Sequence, residues 1–373
     1  MIHVEKKQNQ ITKNKTMKDF EFPLFKTKSE SNQTFALDDP MERKKYFAAK
    51  AGPEIEKIKE YLDGGNSFLG ILLGKKNSGK GTYSKLFMEA VGSEHLRHVS
   101  VGDIVRAAHE DIEDPAKKEE LANYLKEKYR GTMSLDEAFN ALSGRSTSSL
   151  LPTEFILALV EREIAKSEHR AIFVDGFPRS LDQVSYSLYF RELMGYRDDP
   201  DFLAFIDLPE PIIDERMKYR VVCPVCHTPR NLKLLRTKKI EYDEAEKKFY
   251  LVCDNPACGG KRMVPKEGDE LGIEAIRDRI EVDDAVMRTL LKLEGVPKIY
   301  LRNSIPADVA REYVDDYEVT PGYRYEWDPA KKEVNVIEEP WVVSDDNGKP
   351  SVSLLPAPVV VSFLHQVVKV LDL

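Results

Sequence analysis

Apolar residues along this chain follow two rhythms: short uninterrupted runs, and longer stretches in which they recur every three or four positions. The runs at 68–73, 171–174 and 202–206 have no polar face, which fits strands covered on both sides, as in a parallel sheet. Strands are also expected near 98–101 and over 298–302. The helical rhythm occupies 42–62, broken near Gly52-Pro53, then 82–91, 155–164, 211–219, one long stretch over 272–293, and 307–313. Thr153 reads as the cap of the 155–164 helix. Strands alternating with helices predict an α/β fold.

Past residue 316 the pattern changes. Segments 323–327 and 333–337 flank Asp328-Pro329, and 341–343 and 351–355 flank Asp345-Asp346-Asn347-Gly348, so both read as hairpins, the second with an Asn-Gly turn. An apolar helix over 359–371 follows and is expected on the sheet. At the other end, residues 1–37 are polar except for the small cluster Phe20, Phe22, Leu24 and Phe25. They predict a disordered tail, the alternative being a short peptide that docks through Phe20 to Phe25. Residues 38–65 form a helical extension.

Composition narrows the class. A chain of 373 residues can bury a substantial core, and its net charge of −8 argues against a broad nucleic-acid or anionic-membrane surface. There is no run of apolar residues long enough to span a bilayer and no apolar core in the Lys-rich N-terminus, so a cytoplasmic protein is expected.

The chemistry starts at the end of the first strand. In Gly74-Lys75-Lys76-Asn77-Ser78-Gly79-Lys80-Gly81-Thr82, Gly74 and Gly79 allow backbone turns that let successive amides converge on an anion. Lys80 adds a point charge and the following helix its positive end, so a nucleotide phosphate is the expected ligand. Gly81 stands where the common pattern has Ser or Thr, with Thr82 one place later.

Other candidates follow in order. Ser100-Val101-Gly102-Asp103 leads into a helix carrying Arg106, and Leu150-Leu151-Pro152 precedes another. The third strand presents Asp175 at its carboxyl end, where it can hold water on Mg2+ bound to phosphates; Gly176 and Arg179 follow. Arg216 and Arg220, four apart, are expected on one helical face. Cys223-x2-Cys226 and Cys253-x4-Cys258 enclose 26 residues and can complete a tetrahedral zinc site, with His227 as an alternative ligand.

The order of these motifs resembles the adenylate kinase family of nucleoside monophosphate kinases over roughly residues 66–315. Asp175-Gly176-Phe177-Pro178-Arg179 followed by Gln183 is the most specific match. The resemblance implies a P-loop-type, doubly wound, five-stranded parallel sheet over 66–218 and 272–315. It adds a helical monophosphate-binding insert over about 102–165, a four-cysteine, zinc-ribbon-like lid over 219–271, and a C-terminal addition over 316–373. It assigns Gly74, Asn77, Ser78, Gly79, Lys80, Gly81, Thr82 and Arg216 to ATP, and Val101, Arg106, Gly176, Arg179 and Gln183 to AMP. Lys80, Arg179, Arg216, Arg220 and Arg279 would surround the phosphoryl group in flight, and Asp175 would organise Mg2+ through water.

This chain departs from the family at four places. Asn77 stands for a loop glycine, Val101 for a threonine or other small residue, Ser148-Ser149 for a glycine, and Gly268 for a lid-side arginine that Lys266 or Arg262 would have to replace. The expected activity is a monomeric ATP:AMP phosphotransferase, with structural zinc and Mg2+ entering with ATP. The alternatives are a kinase for UMP, CMP or another monophosphate, and a non-catalytic nucleotide-binding assembly module, for which the Lys-rich stretch 229–239 is the motive.

Overall fold

The computed structural model describes Met17 and residues 20–31, 33–144, 151–185 and 199–373. Most of the expected tail before residue 17 and the Ser148-Ser149 pair lie outside the described residues.

Helix α1 (Pro40–Asp63) starts where Asp39 accepts the amides of Met41 and Glu42, and bends at Ala51, whose φ of −148° is non-helical just ahead of Pro53. Strand β1 (Leu69–Gly74) runs into α2 (Lys80–Val91). β2 (Leu96–Ser100) runs into α3 (Val101–Asp111), which is capped by the Ser100 hydroxyl. Three further helices, α4 (Pro115–Lys128), α5 (Leu135–Ser143) and α6 (Thr153–Ala165), precede β3 (Ala171–Asp175) and β4 (Asp201–Asp207). Thr153 lies inside α6 and makes no cap; Pro152 holds that position, and the Thr153 hydroxyl turns to Asp182 at 3.3 Å.

Helix α7 (Glu210–Lys218) leads to a cysteine-bearing module built from β5 (Arg220–Val222), β6 (Pro229–Asn231), β7 (Lys239–Asp243), β8 (Lys248–Val252) and β9 (Val264–Pro265). The return is not the single helix expected over 272–293. A 3-10 segment (Asp269–Ile276) is broken at Gly272, whose φ of +57° no continuous helix allows, and α8 (Arg277–Leu291) starts only after it. Then come β10 (Lys298–Arg302), β11 (Ser304–Pro306) and a short α9 (Ala310–Tyr313). Both expected hairpins form, as β12 (Pro321–Asp328) with β13 (Glu333–Pro340) and β14 (Val343–Ser344) with β15 (Pro350–Ser353), before α10 (Pro356–Val370).

The central sheet is parallel, in the order β10-β4-β1-β3-β2. The chain moves outward from β1 to β2, returns through β3 and then crosses to β4, so the crevice beyond the carboxyl ends of β1 and β3 is the switch point where ligands of such sheets bind. Register puts Ser100 of β2 opposite Asp175 of β3, and Asp175 opposite Leu72 of β1, two residues before Gly74. Glycine at position 70 is a packing requirement, since a Cβ there would meet the Phe202 and Phe173 rings at 2.8 and 2.9 Å.

One face of the sheet is covered by α1, α2 and α10 through an aromatic layer in which the Phe363 ring lies 5.0 Å from Phe87 and 5.3 Å from Phe173. The other is covered by α3 to α6 at one side and by α8 at the other. The stretch expected to be a loose tail contributes packed residues: Met17, Phe22, Phe35 and Leu37 are buried, and Phe20 and Phe22 lie against Tyr300. Sparse apolar residues give no periodic signal, yet Phe20, Phe22, Phe25 and Phe35 each find an aromatic ring supplied by a later part of the chain.

A buried carboxylate joins the two ends of the chain. Glu318, fully buried, accepts from the Thr27 hydroxyl at 2.6 Å, the Tyr46 hydroxyl at 2.5 Å and the Asp315 amide at 2.9 Å, with Lys50 at 3.5 Å. Replacing Glu318 by Ala strands two hydroxyls and the Asp315 amide while Lys50 keeps Asp315, and is expected to lower unfolding stability by about 3–5 kcal/mol. Chemical denaturation measures this, and a loss near zero would show that the network is solvated.

Candidate functional site

Four segments meet at the carboxyl ends of β1, β2 and β3. The loop after β1 turns through Asn77 at φ +67° and Gly79 at φ +100°, both left-handed. Asn is the side-chain-bearing residue that best tolerates that region, which accounts for its presence at a position where the resemblance leads one to expect glycine. Gly74 has no room for a side chain, because a Cβ would lie 2.6 Å from the Ser78 hydroxyl and 2.9 Å from the Ile206 carbonyl. Lys80 folds back over the loop and donates to the Gly74 and Lys75 carbonyls at 2.8 and 3.0 Å. Burial lowers its pKa, the Asp175 and Asp283 carboxylates oppose that, and Arg279 and Arg179 add to it. Gly79 gives α2 no side-chain cap, so its leading amides are available to an anion. The Asn77 Nδ2 and Ser78 Oγ atoms are buried without a hydrogen-bond partner among the described residues.

Strand β3 delivers Asp175, and the turn after it delivers Arg179. The Arg179 Nε donates to the Gly176 carbonyl at 2.7 Å, and the Arg179 amide donates to Gln183 Oε1 at 2.8 Å. Gly176, at φ +84°, has the guanidinium where a Cβ would be, with Nη2 at 2.8 Å. Arg106, mostly exposed and paired with Asp103, converges on the same place: the Cβ position of Gly102 is 3.1 Å from Arg179 Nη2 and 3.6 Å from Arg106 Nη1. Val101 is fully buried at the first turn of α3. His98 of β2 puts Nε2 3.9 Å from Asp175 Oδ2, and burial lowers its pKa.

The arginines from the far side arrive by different routes. Arg279 on α8 donates to the Arg179 carbonyl at 2.9 Å and pairs with Asp283 at 2.7 Å; Asp283 in turn accepts the Lys76 amide at 2.9 Å. Arg216 and Arg220 do not share a helical face. Helix α7 ends at Lys218, so Arg220 sits on β5, pairs in two-pronged fashion with Asp269 at 2.5 and 2.7 Å, and reaches Asn77 Oδ1 at 3.3 Å. Arg216 points elsewhere, to Asn303 and Ser353. Of the two residues that could replace an arginine at Gly268, Arg262 is spent on Asp243 and Glu246, whereas the Lys266 charge bears on Lys76 of the phosphate loop.

All four cysteine sulfurs lie within 4.8 Å of one another, with Cys226 and Cys253 3.7 Å apart. Sulfurs at about 2.3 Å from a tetrahedral ion are about 3.8 Å apart, so the cluster fits a zinc ion. The Thr228 hydroxyl and amide bring the Cys226 thiol down to about 6, toward the thiolate that such a metal needs. His227, the alternative ligand, is not part of the cluster.

Sequence reasoning missed the carboxylates that hold these arginines. Asp283, four residues after Arg279 on one helix, was legible by spacing; Asp269 was not, because its pairing with Arg220 closes a loop of nearly fifty residues.

The sheet order and the loop after its central strand are those of a P-loop kinase fold. No family model matches the chain. It is 30% identical to the adenylate kinase of Kosmotoga olearia over 213 residues, which are 57% of this chain and 80% of that one. It is 29% identical to the adenylate kinase of Thermotoga petrophila over 215 residues (57% and 78%) and 29% identical to that of Clostridium acetobutylicum over 235 (62% and 86%). The chain belongs to the adenylate kinase family.

Behind the phosphate loop, burial pushes the Asp207 carboxyl up to about 6; Arg302 and Lys75 oppose the shift, and Asp346 and Asp284 add to it. A carboxyl that holds its proton more tightly folded than unfolded makes the fold less stable as pH rises from about 4 to about 6, and the loss is complete above that. Asp207→Asn keeps the neutral shape. Its urea midpoint is expected to exceed the wild-type value at pH 8 and to approach it at pH 4.5; equal differences at both pH values would contradict the shift.

Proposed function

We propose that the protein interconverts ATP plus AMP with two ADP. The observation that carries this reading is the convergence of Lys80, Arg179 and Arg279 on one crevice, with Arg106 beside Arg179 and Arg220 at the phosphate loop. Such an arrangement suits phosphoryl transfer, which needs in-line positioning and charge neutralisation more than a protein nucleophile.

In this reading the loop amides and Lys80 bind the β and γ phosphates of ATP, and Arg216 belongs to the ATP side. Arg106 and Arg179 bind the phosphate of AMP. Arg220 and Arg279 exchange part of their pairing with Asp269 and Asp283 for oxygens of the transferring group, so their charge is held in place before substrate arrives. Mg2+ entering with ATP would neutralise charge on the phosphate oxygens, with Asp175 orienting its water. The module over 219–271 acts as a lid that excludes water from the reaction, and a structural zinc ion on the four sulfurs supplies the folding energy its small core lacks.

Adenine is favoured at the monophosphate site by Gln183, whose amide can donate to and accept from one base edge. The partners are then ATP and AMP, with no nucleic acid, for a monomer in the cytoplasm. Turnover compared on AMP, CMP, UMP and GMP tests the base assignment: AMP should be the best acceptor, and faster turnover on a pyrimidine would overturn it. Lys80→Ala and Arg179→Ala should each lower kcat/KM by about 100-fold or more, roughly 3 kcal/mol of transition-state stabilisation, with the fold intact. Unchanged activity in either would argue for a non-catalytic nucleotide-binding module. Elemental analysis of protein purified without chelator should give one zinc per chain, and its absence would reject the metal assignment.

A further inference from the structure

The roles above use no residue after Pro340, yet two side chains from that region end beside the ATP half of the site. Strand β15 buries Ser353 completely, with its Oγ 3.1 Å from Arg216 Nη2 and donating to Asn303 Oδ1 at 2.7 Å. The same Nη2 donates to Asn303 Oδ1 at 3.0 Å, so three groups close a triangle on one edge of the guanidinium. The Tyr83 ring lies against Gly79 of the phosphate loop, where a Cβ would come within 2.8 Å of it, and the Tyr83 hydroxyl is within reach of the Arg216 charge.

The turn between β14 and β15 makes a second connection. Asp346 Oδ1 accepts the Glu210 amide in the first turn of α7 at 2.8 Å, and its Oδ2 lies 3.5 Å from the Lys75 ammonium. Lys75 is 3% exposed and also faces Glu210 at 3.6 Å. Burial opposes its charge, and Asp346, Asp284, Glu210 and Asp207 more than offset that. One carboxylate therefore ties the phosphate loop to the helix that carries Arg216. Arg302 holds the turn from behind, between Asp207 at 3.5 Å and Asp345 at 3.6 Å.

We infer that the β14–β15 hairpin is a built part of the ATP half-site, with Ser353 the positioning residue for Arg216 and Asp346 the positioning residue for the phosphate loop. An arginine near the end of a helix ordinarily samples many rotamers. Here one edge of its fork is fixed by two neutral acceptors, which leaves its charge unspent for a ligand. The inference rests on the proposed ATP role of Arg216 and the loop.

The test is steady-state kinetics on the full chain, with ATP and AMP varied separately, for Ser353→Ala, Ser353→Thr, Asp346→Ala, Asp346→Asn and Arg216→Ala, each checked by urea denaturation. Losing one hydrogen bond to a charged group is worth about tenfold in affinity. Ser353→Ala should accordingly raise the KM for ATP by up to about tenfold and leave the KM for AMP unchanged, and Ser353→Thr, which keeps the hydroxyl, should restore it. Asp346→Ala should also raise the KM for ATP, with Asp346→Asn intermediate because its carbonyl still accepts the Glu210 amide. An impaired Arg216→Ala beside unaffected Ser353 and Asp346 variants would overturn this inference alone. An unaffected Arg216→Ala would overturn the ATP role and the inference with it. Equal rises in both KM values would mark a general structural effect and likewise reject it.

Discussion

Cations taken out of water must have fixed counter-charges, and the site is organised by that constraint. Lys80 is buried over the phosphate loop, Arg179 loses part of its hydration to burial and is pressed by Arg279, and the carboxylates of Asp175 and Asp283 nearby oppose the loss of charge at both. Arg220 is met by Asp269, Arg106 by Asp103 and Arg279 by Asp283. In the proposed reading, a phosphate chain entering this crevice would meet donors already oriented, and would compete with carboxylates and backbone carbonyls for part of their capacity. In such a preorganised site, little reorientation is left for the reaction step.

The same constraint extends behind the loop. Lys75, Asp207, Asp284, Glu210, Asp345, Asp346 and Arg302 form a second charged group between the carboxyl ends of β1 and β4 and the C-terminal hairpin. It connects the phosphate loop to parts of the chain far beyond the kinase motifs. The longer hairpin makes a comparable link to the cysteine module, where Trp327 stacks on Tyr242 at 5.1 Å, Tyr325 lies 5.6 Å from Phe249 and the Tyr325 hydroxyl donates to the Leu232 carbonyl at 2.6 Å. Trp341, where the chain leaves that hairpin, is buried against α7 and the segment before α8. The C-terminal addition thus touches both the core and the module over it.

Where local reasoning failed, a tertiary contact explains why. The i,i+4 spacing of Arg216 and Arg220 promised one helical face, but the helix stops at Lys218 because β5 must begin there to pair with β6 and β9. The long amphipathic stretch after residue 271 is interrupted at Gly272, whose missing side chain makes room for Asp214 and Lys218, with Asp214 Oδ1 lying almost where a Cβ would be. In the polar N-terminal stretch, Phe22 is received by Tyr300, Thr27 by Tyr313 and Glu318, and Phe35 by Tyr46, and of these only Tyr46 is near its partner in sequence.

The α/β class, the strands of the central sheet, the phosphate loop, the Asp175 to Arg179 turn and the cysteine quartet could be read from sequence alone, because each depends on local backbone requirements or on short fixed spacings. Periodicity reports a buried face, glycine reports a turn, and paired cysteines report a knuckle. That Asp269 restrains Arg220, and how Ser353 and Asp346 come to lie beside Arg216 and Lys75, were decided only by the tertiary structure. Those contacts join residues from tens to nearly three hundred positions apart, and the free energy of such pairs depends on burial, which only the folded chain determines.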